Sequence, residues 1–236
     1  MGMNPMKEVR SMKQRFNMFT LIHKGLRHAL NRLVWTAGRL DVANAAERQA
    51  FLEEFRHVAE MLHRHALDED RFIQPMIDEC APEVSAEMET QHNRSEELLK
   101  RLERYAEEIA GASPFTDETR HAWLLFVDEL GRFTGDYYLH LYHEECVAMP
   151  ALWKAYDDAK LIETSVRLRS EVPPVIQDHF QRYMIPALNM QERTLLLTTL
   201  KKSAPEPVFR EACRSFEKLL PPAEWEALQS RLEAAV

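Results

Sequence analysis

His65-Ala-Leu-Asp-Glu69-Asp-Arg-Phe-Ile-Gln-Pro75 returns, in altered form, as His140-Leu-Tyr-His-Glu144-Glu-Cys-Val-Ala-Met-Pro150. Both stretches carry a His, a Glu four residues later, a second acid directly after it (Asp70, Glu145) and a Pro ten residues after the His. A helix turns about 100° per residue, so His and Glu at i and i+4 lie about 40° apart on one face. Each stretch therefore presents one imidazole and one carboxylate in the same direction. The repeat predicts that everything up to about residue 160 serves to bring the two pairs face to face.

Working outward, the chain of 236 residues is long enough to bury a sizeable core, as one large domain or one domain with an appended part. Six glycines and few β-branched runs favour helix. A net charge of −8, with no stretch rich in Lys and Arg, argues against nucleic-acid binding. Three cysteines, Cys80, Cys146 and Cys213, are odd in number and never adjacent in a C-x-x-C, which suits a reducing compartment. No apolar run reaches membrane-spanning length, and Met1 to Arg15 lacks the apolar core of a signal peptide, so a cytoplasmic protein without membrane partners is expected.

Apolar periodicity predicts four long helices. The first runs from about Pro5 to Ala37 and ends at Gly38. The second starts near Asp41 or Asn44 and continues to Met76, with a kink or last turn at Pro75. The third runs from Pro82 to Gly111. The fourth opens at Thr116 and reaches Val147, weakened at Gly131 and Gly135 by roughly 1 kcal/mol each. Short connections make this an all-α, up-down-up-down four-helix bundle, residues 1–155. Residues 156–236 are a C-terminal extension in which prolines punctuate four or five short helices, one capped by Asn189 and Glu192.

His23 on the first helix, His65 and Glu69 on the second, His92 on the third, and His140 and Glu144 on the fourth fall near mid-helix on apolar faces. Two carboxylates and four imidazoles suit a pair of first-row transition ions, with the Glu side chains bridging and the His side chains terminal. Glu96, four residues after His92, is a further candidate. His28 rivals His23, although His23 has the more apolar companions. A lone His on an apolar face is usually a hydrogen-bonded core residue, and a single H-x3-E is commonly a surface pair. Two carboxylates on core faces are costly without cations, and Arg27 and Arg71 alone do not account for four histidines at one depth. Tyr137, Asp136 and His143 are candidates to support the site from behind. A ferritin-type site is excluded because the first helix has no carboxylate between Glu8 and Asp41.

Ile22-His-Lys-Gly-Leu-Arg27, the two H-x3-E-x5-P stretches and Glu89-Thr-Gln-His92 together resemble the hemerythrin-like, or HHE, cation-binding family over roughly residues 10 to 155. The resemblance implies a bundle around two non-haem iron ions and a role with oxygen, nitric oxide or redox state. Carried over residue by residue, it gives His23, His65, Glu69, His92, His140 and Glu144. The chain departs from hemerythrin itself at Glu96, where a second His is expected, and at the fourth-helix acid, which matches better at Glu144 than at Glu145. These departures weigh against reversible oxygen carriage and leave manganese or zinc open beside iron.

The expected function is a non-haem di-iron protein that binds oxygen or nitric oxide, or senses iron or redox state. It is read as a binding protein rather than an enzyme, with a homodimer as one open assembly. The alternatives are an oxidase, peroxidase or nitric-oxide-handling enzyme on the same site, and a metal-free scaffold or sensor acting through its C-terminal region.

Overall fold

A computed structural model describes residues 15–112 and 114–234. All regular structure among them is helical. The four long helices are α1 (Thr20–Ala37), α2 (Ala45–Phe72), α4 (Pro82–Gly111) and α5 (Asp117–His143); the short α3 (Gln74–Cys80) follows α2. A π-helical turn, Glu144–Ala148, joins α5 to α6 (Met149–Ala155). The rest is α7 (Asp158–Ser170), α8 (Pro174–Ala187), α9 (Met190–Ser203), α10 (Glu206–Leu219) and α11 (Pro222–Ala234).

The predicted boundaries hold where capping chemistry sets them. Asn44 accepts hydrogen bonds from the Ala46 and Glu47 amides, and Thr116 accepts one from Thr119, so orphan amides at both helix starts are satisfied. Asn189 and Glu192 form the reciprocal box that opens α9. The first helix is shorter than predicted: residues 15–19 are not helical, α1 starts at Thr20, and the part from Pro5 to 14 lies outside the described residues. The Asn17 side chain accepts from the Phe19 and Thr20 amides, which satisfies them at the start of α1.

The two prolines of the repeat act differently. A proline ring clashes with the carbonyl four residues before it. At Pro75 the helix breaks at Ile73 and restarts as α3. At Pro150 the chain widens instead, the Met149 amide bonding the Glu144 carbonyl five residues back, and the helix passes on. The periodicity predicts one α-helix from Thr116 to Val147; the structure ends α5 at His143 and continues the chain as the π turn.

Two apolar cores lie along the bundle, the first within the four long helices and the second mostly in the segments at their ends. One holds Leu26 and Leu30 of α1, Phe55 and Leu62 of α2, Leu99 and Leu102 of α4, and Phe126 and Phe133 of α5. The other holds Phe19, Phe72 and Ile77, Met88, and Ala148 and Met149. His23, His65, His92 and His140 each fall between a residue of one core and a residue of the other on their own segment. A polar layer thus sits sandwiched between two dry ones.

The C-terminal helices have their own core, with Ile185, Leu197, Phe216, Trp225 and Leu228. They are fastened to the bundle through α8. Tyr183 is buried with the bundle core, its hydroxyl donates to Glu54 (3.2 Å), and its carbonyl accepts from His28 Nδ1 (2.9 Å). Lys24 Nζ pairs with Glu192 (2.6 Å). Gly25 lets the backbones of α1 and α8 approach, since a Cβ there would stand 3.0 Å from Met184 Cα.

Candidate metal centre

All six residues singled out from the sequence meet in the polar layer. His23, His65, Glu69 and Glu144 form one group whose ligand atoms lie within 4.8 Å of one another, and Glu69, His92, His140 and Glu144 form a second. The two carboxylates are common to both. Glu69 Oε1 faces His65 Nε2 (3.2 Å) and His23 Nε2 (3.9 Å), while its Oε2 faces His92 Nε2 (3.5 Å). Glu144 does the converse: Oε2 faces His23 Nε2 (3.4 Å), and Oε1 faces His140 Nε2 (3.3 Å) and His92 Nε2 (3.8 Å). Each carboxylate therefore gives one oxygen to each pair of imidazoles.

Burial makes this arrangement costly as a set of bare side chains. Glu144 is 0 % and Glu69 1 % exposed. All four of their oxygens, and the Nε2 atoms of His23, His65 and His92, are buried without a hydrogen-bond partner. Unpaired buried carboxylates cost several kcal/mol each unless a cation compensates them. The inward donors, two nitrogens and two oxygens per group, are the set that first-row divalent ions take, so the residues fit a metal pair.

The outward nitrogens are held. His23 Nδ1 donates to Glu145 Oε1 (2.9 Å), which Arg27 also holds (2.7 Å); His92 Nδ1 donates to Asp70 Oδ1 (2.9 Å), and His140 Nδ1 to Gln91 Oε1 (3.1 Å). These bonds fix the tautomer that leaves Nε2 free to face inward, and they raise its basicity. Glu145, Asp70 and Gln91 were not assigned from the sequence. The available signal was the acid that follows the Glu in both halves of the repeat.

The charges divide unevenly among the imidazoles. Burial works against protonating His23, but Glu145, Glu69 and Glu144 overcome it and raise its pKa to about 9. Burial is likewise overcome at His92, where Asp70, Glu144 and Glu69 raise the pKa to about 12. Burial lowers His65 to about 4 and moves His140 downward as well. Against its own burial, Glu69 is held well below the usual carboxylate range by His65, His23 and His92.

The remaining candidates fall away from the centre. Glu96 is half exposed and pairs with Lys100 (2.5 Å), so it is no part of either group. Its register explains this: His92 already takes the inward face, and Glu96 one turn later meets solvent. His28 serves the docking of α8, whereas His23 stands in the first group. Asp136 pairs with Arg94, and His143 lies 3.6 Å from Glu87. Tyr137 does sit behind the site, its ring 5.5 Å from that of His140. Outside both groups, Glu54 pairs with Arg32 and His63 with Glu103.

The model of the hemerythrin HHE cation-binding domain matches residues 15–152, more than half of the chain. The chain belongs to this family. No curated protein and no solved structure matches it. The family match covers α1 to α5, the π turn, the first residues of α6 and every residue of the two donor groups, so cation binding is the property the hemerythrin HHE domain brings to this chain. No helix among the described residues is long and apolar enough to cross a membrane.

Proposed function

We propose that the chain binds two iron ions bridged by Glu69 and Glu144, with His23 and His65 on one ion and His92 and His140 on the other, and that it binds oxygen or nitric oxide or responds to iron or redox state. The observation that supports this reading is the sharing of both carboxylates between the two imidazole pairs, all buried and with no other partner inside the site. Such an iron pair, when bound, supplies electrons and a place for a small diatomic ligand. The chain's own residues hold the donors at one depth, exclude water with the two flanking cores and orient three imidazoles from behind. Zinc or manganese fits the same donor types. The order of the cores along α1, α2, α4 and α5 reverses from each helix to the next, which supports an up-down-up-down bundle; residues 1–155 and 156–236 are the proposed units.

Reconstitution with ferrous iron tests the reading. It should give about two irons per chain and a visible charge-transfer band after exposure to air. A protein that takes up no metal overturns it.

A second reading, an oxidase, peroxidase or nitric-oxide-handling enzyme, is favoured by Tyr137 alone. Burial and the charges of Glu69 and Glu144 raise its hydroxyl well above its ordinary pKa, so it keeps its proton and can serve only as a donor. Sustained turnover of peroxide or nitric oxide, lost in Glu144→Ala, would select this reading. Separation of His23 from Glu69 would favour the metal-free scaffold reading, and they are 3.9 Å from each other.

A further inference from the structure

Between α1, the end of α2, and helices α7 and α8 of the extension lies a cavity of about 290 Å³. Its wall is mostly apolar, with Phe16, Phe19 and Ile73 on the bundle side and Leu168, Phe180 and Met184 on the extension side. Phe19, Ile73, His65, Asp68 and Glu69 in its lining are buried, whereas Arg169 and Gln177 are the exposed members.

Arg169 is the informative residue. Among the described residues its guanidinium makes no ion pair and donates no hydrogen bond, whereas Arg15, Arg27, Arg32, Arg101 and Arg193 each pair with an acid. Its side chain stands exposed at the mouth of an otherwise apolar cavity, where an anion would gain a charge-assisted hydrogen bond. The Gln181 amide, also lining the cavity, is without a partner among the described residues.

We propose that this cavity binds a medium-chain monocarboxylate, its carboxylate on Arg169 and its apolar chain running inward along Phe180, Leu168, Phe19 and Ile73. The size fits: at about 30 Å³ per water-sized group, the space takes a chain of about ten carbons. The extension thereby has a use that the bundle alone does not require, since it supplies half of the wall and the cation.

The test is calorimetric titration of the full chain with decanoate below its micelle threshold, on chelator-treated and on iron-loaded protein. The proposal stands apart from the metal reading, because metal content is assayed on the same samples and decanoate is expected to bind in both. One decanoate per chain is expected. Arg169→Gln should weaken it at least tenfold and Arg169→Lys should restore part of the loss. Decanol, which has the chain without the charge, should bind at least tenfold more weakly than decanoate. Arg169 is exposed, so its variants are expected to fold, and melting curves check this. No binding, equal binding by Arg169→Gln, or equal binding of decanol overturns the proposal.

Discussion

Glu144→Gln is the sharpest probe of the centre, because it changes little except charge and because Glu144 is wholly buried with one oxygen toward each imidazole pair. In the intact protein each donor group has four members, and the substitution weakens one member of both groups at once. Metal that binds only the folded chain adds about 2.7 kcal/mol per ion at a free concentration one hundred times its Kd, hence about 5 kcal/mol for two independent ions. For a chain of this size about 1 kcal/mol corresponds to roughly 2–4 °C, so the wild type should melt about 10–20 °C higher loaded than chelated. The variant should lose most of that difference. Its chelated form should melt close to the chelated wild type, since removal of one negative charge lets a raised imidazole, His23 or His92, give up its proton. Scanning calorimetry of the four samples, with elemental analysis of each, makes the comparison. If Glu144→Gln keeps two ions per chain and the full rise in melting temperature, Glu144 does not bridge.

The supporting acids should matter unequally: Glu145→Gln, which also loses Arg27, is expected to weaken metal binding by about 10–100-fold, and Asp70→Asn by less because Asp70 is largely exposed, as competition with a chelator dye would measure. A Cβ added at Gly131 or Gly135 meets nothing within 4 Å, so Gly131→Ala and Gly135→Ala should each stabilise α5 by about 0.5–1 kcal/mol in urea unfolding. Gly25→Ala should do the opposite, costing about 1–3 kcal/mol as α8 is pushed from α1 and exposing the extension to limited proteolysis. In chelated protein, His23 has a folded pKa of about 9 against 6.5 for the free side chain, so its contribution to stability is fully present below pH 6.5 and is lost as pH rises through about 9. Urea titrations at pH 6 and pH 9.5, compared with His23→Gln, measure that loss.

The candidate centre was more legible than the fold around it, and particular residues show why. Helical periodicity constrains direction at each position, so His65 and Glu69, or His140 and Glu144, had to share a face wherever their helix lay. Depth followed from the apolar residues on either side. Glu96 satisfied the same i+4 rule and still lies outside, because the rule orients a residue relative to its neighbour and says nothing about which side of the helix the bundle covers. The π turn was hidden for a related reason. Pro150 announces a disturbance of the helix, but whether the chain breaks, as at Ile73, or widens, as after Glu144, depends on what the next segment packs against. The role of His28 was hidden entirely, since its partner is the backbone of Tyr183, 155 residues away.

The repeat itself has a larger unit than the His and Glu that first mark it. Asp70 does not serve His65 on its own helix; it holds His92 on α4. Glu145 does not serve His140; it holds His23 on α1. Each half of the repeat thus gives one imidazole and one carboxylate to the centre, and its third member sets the orientation of an imidazole on a different helix. This division has a geometric cause: consecutive residues point about 100° apart, so when Glu69 or Glu144 faces inward, the next acid faces the adjoining helix. H-x3-E-[DE] is therefore a short helical sequence that can both donate two ligands and brace a third, and two copies, one on α2 and one running from the end of α5 into the π turn, orient the otherwise isolated histidines of α1 and α4. It follows that transplanting Glu145 to position 146, in the double variant Glu145→Ala, Cys146→Glu, should leave both donor groups chemically complete and yet weaken the ion on the His23 side selectively.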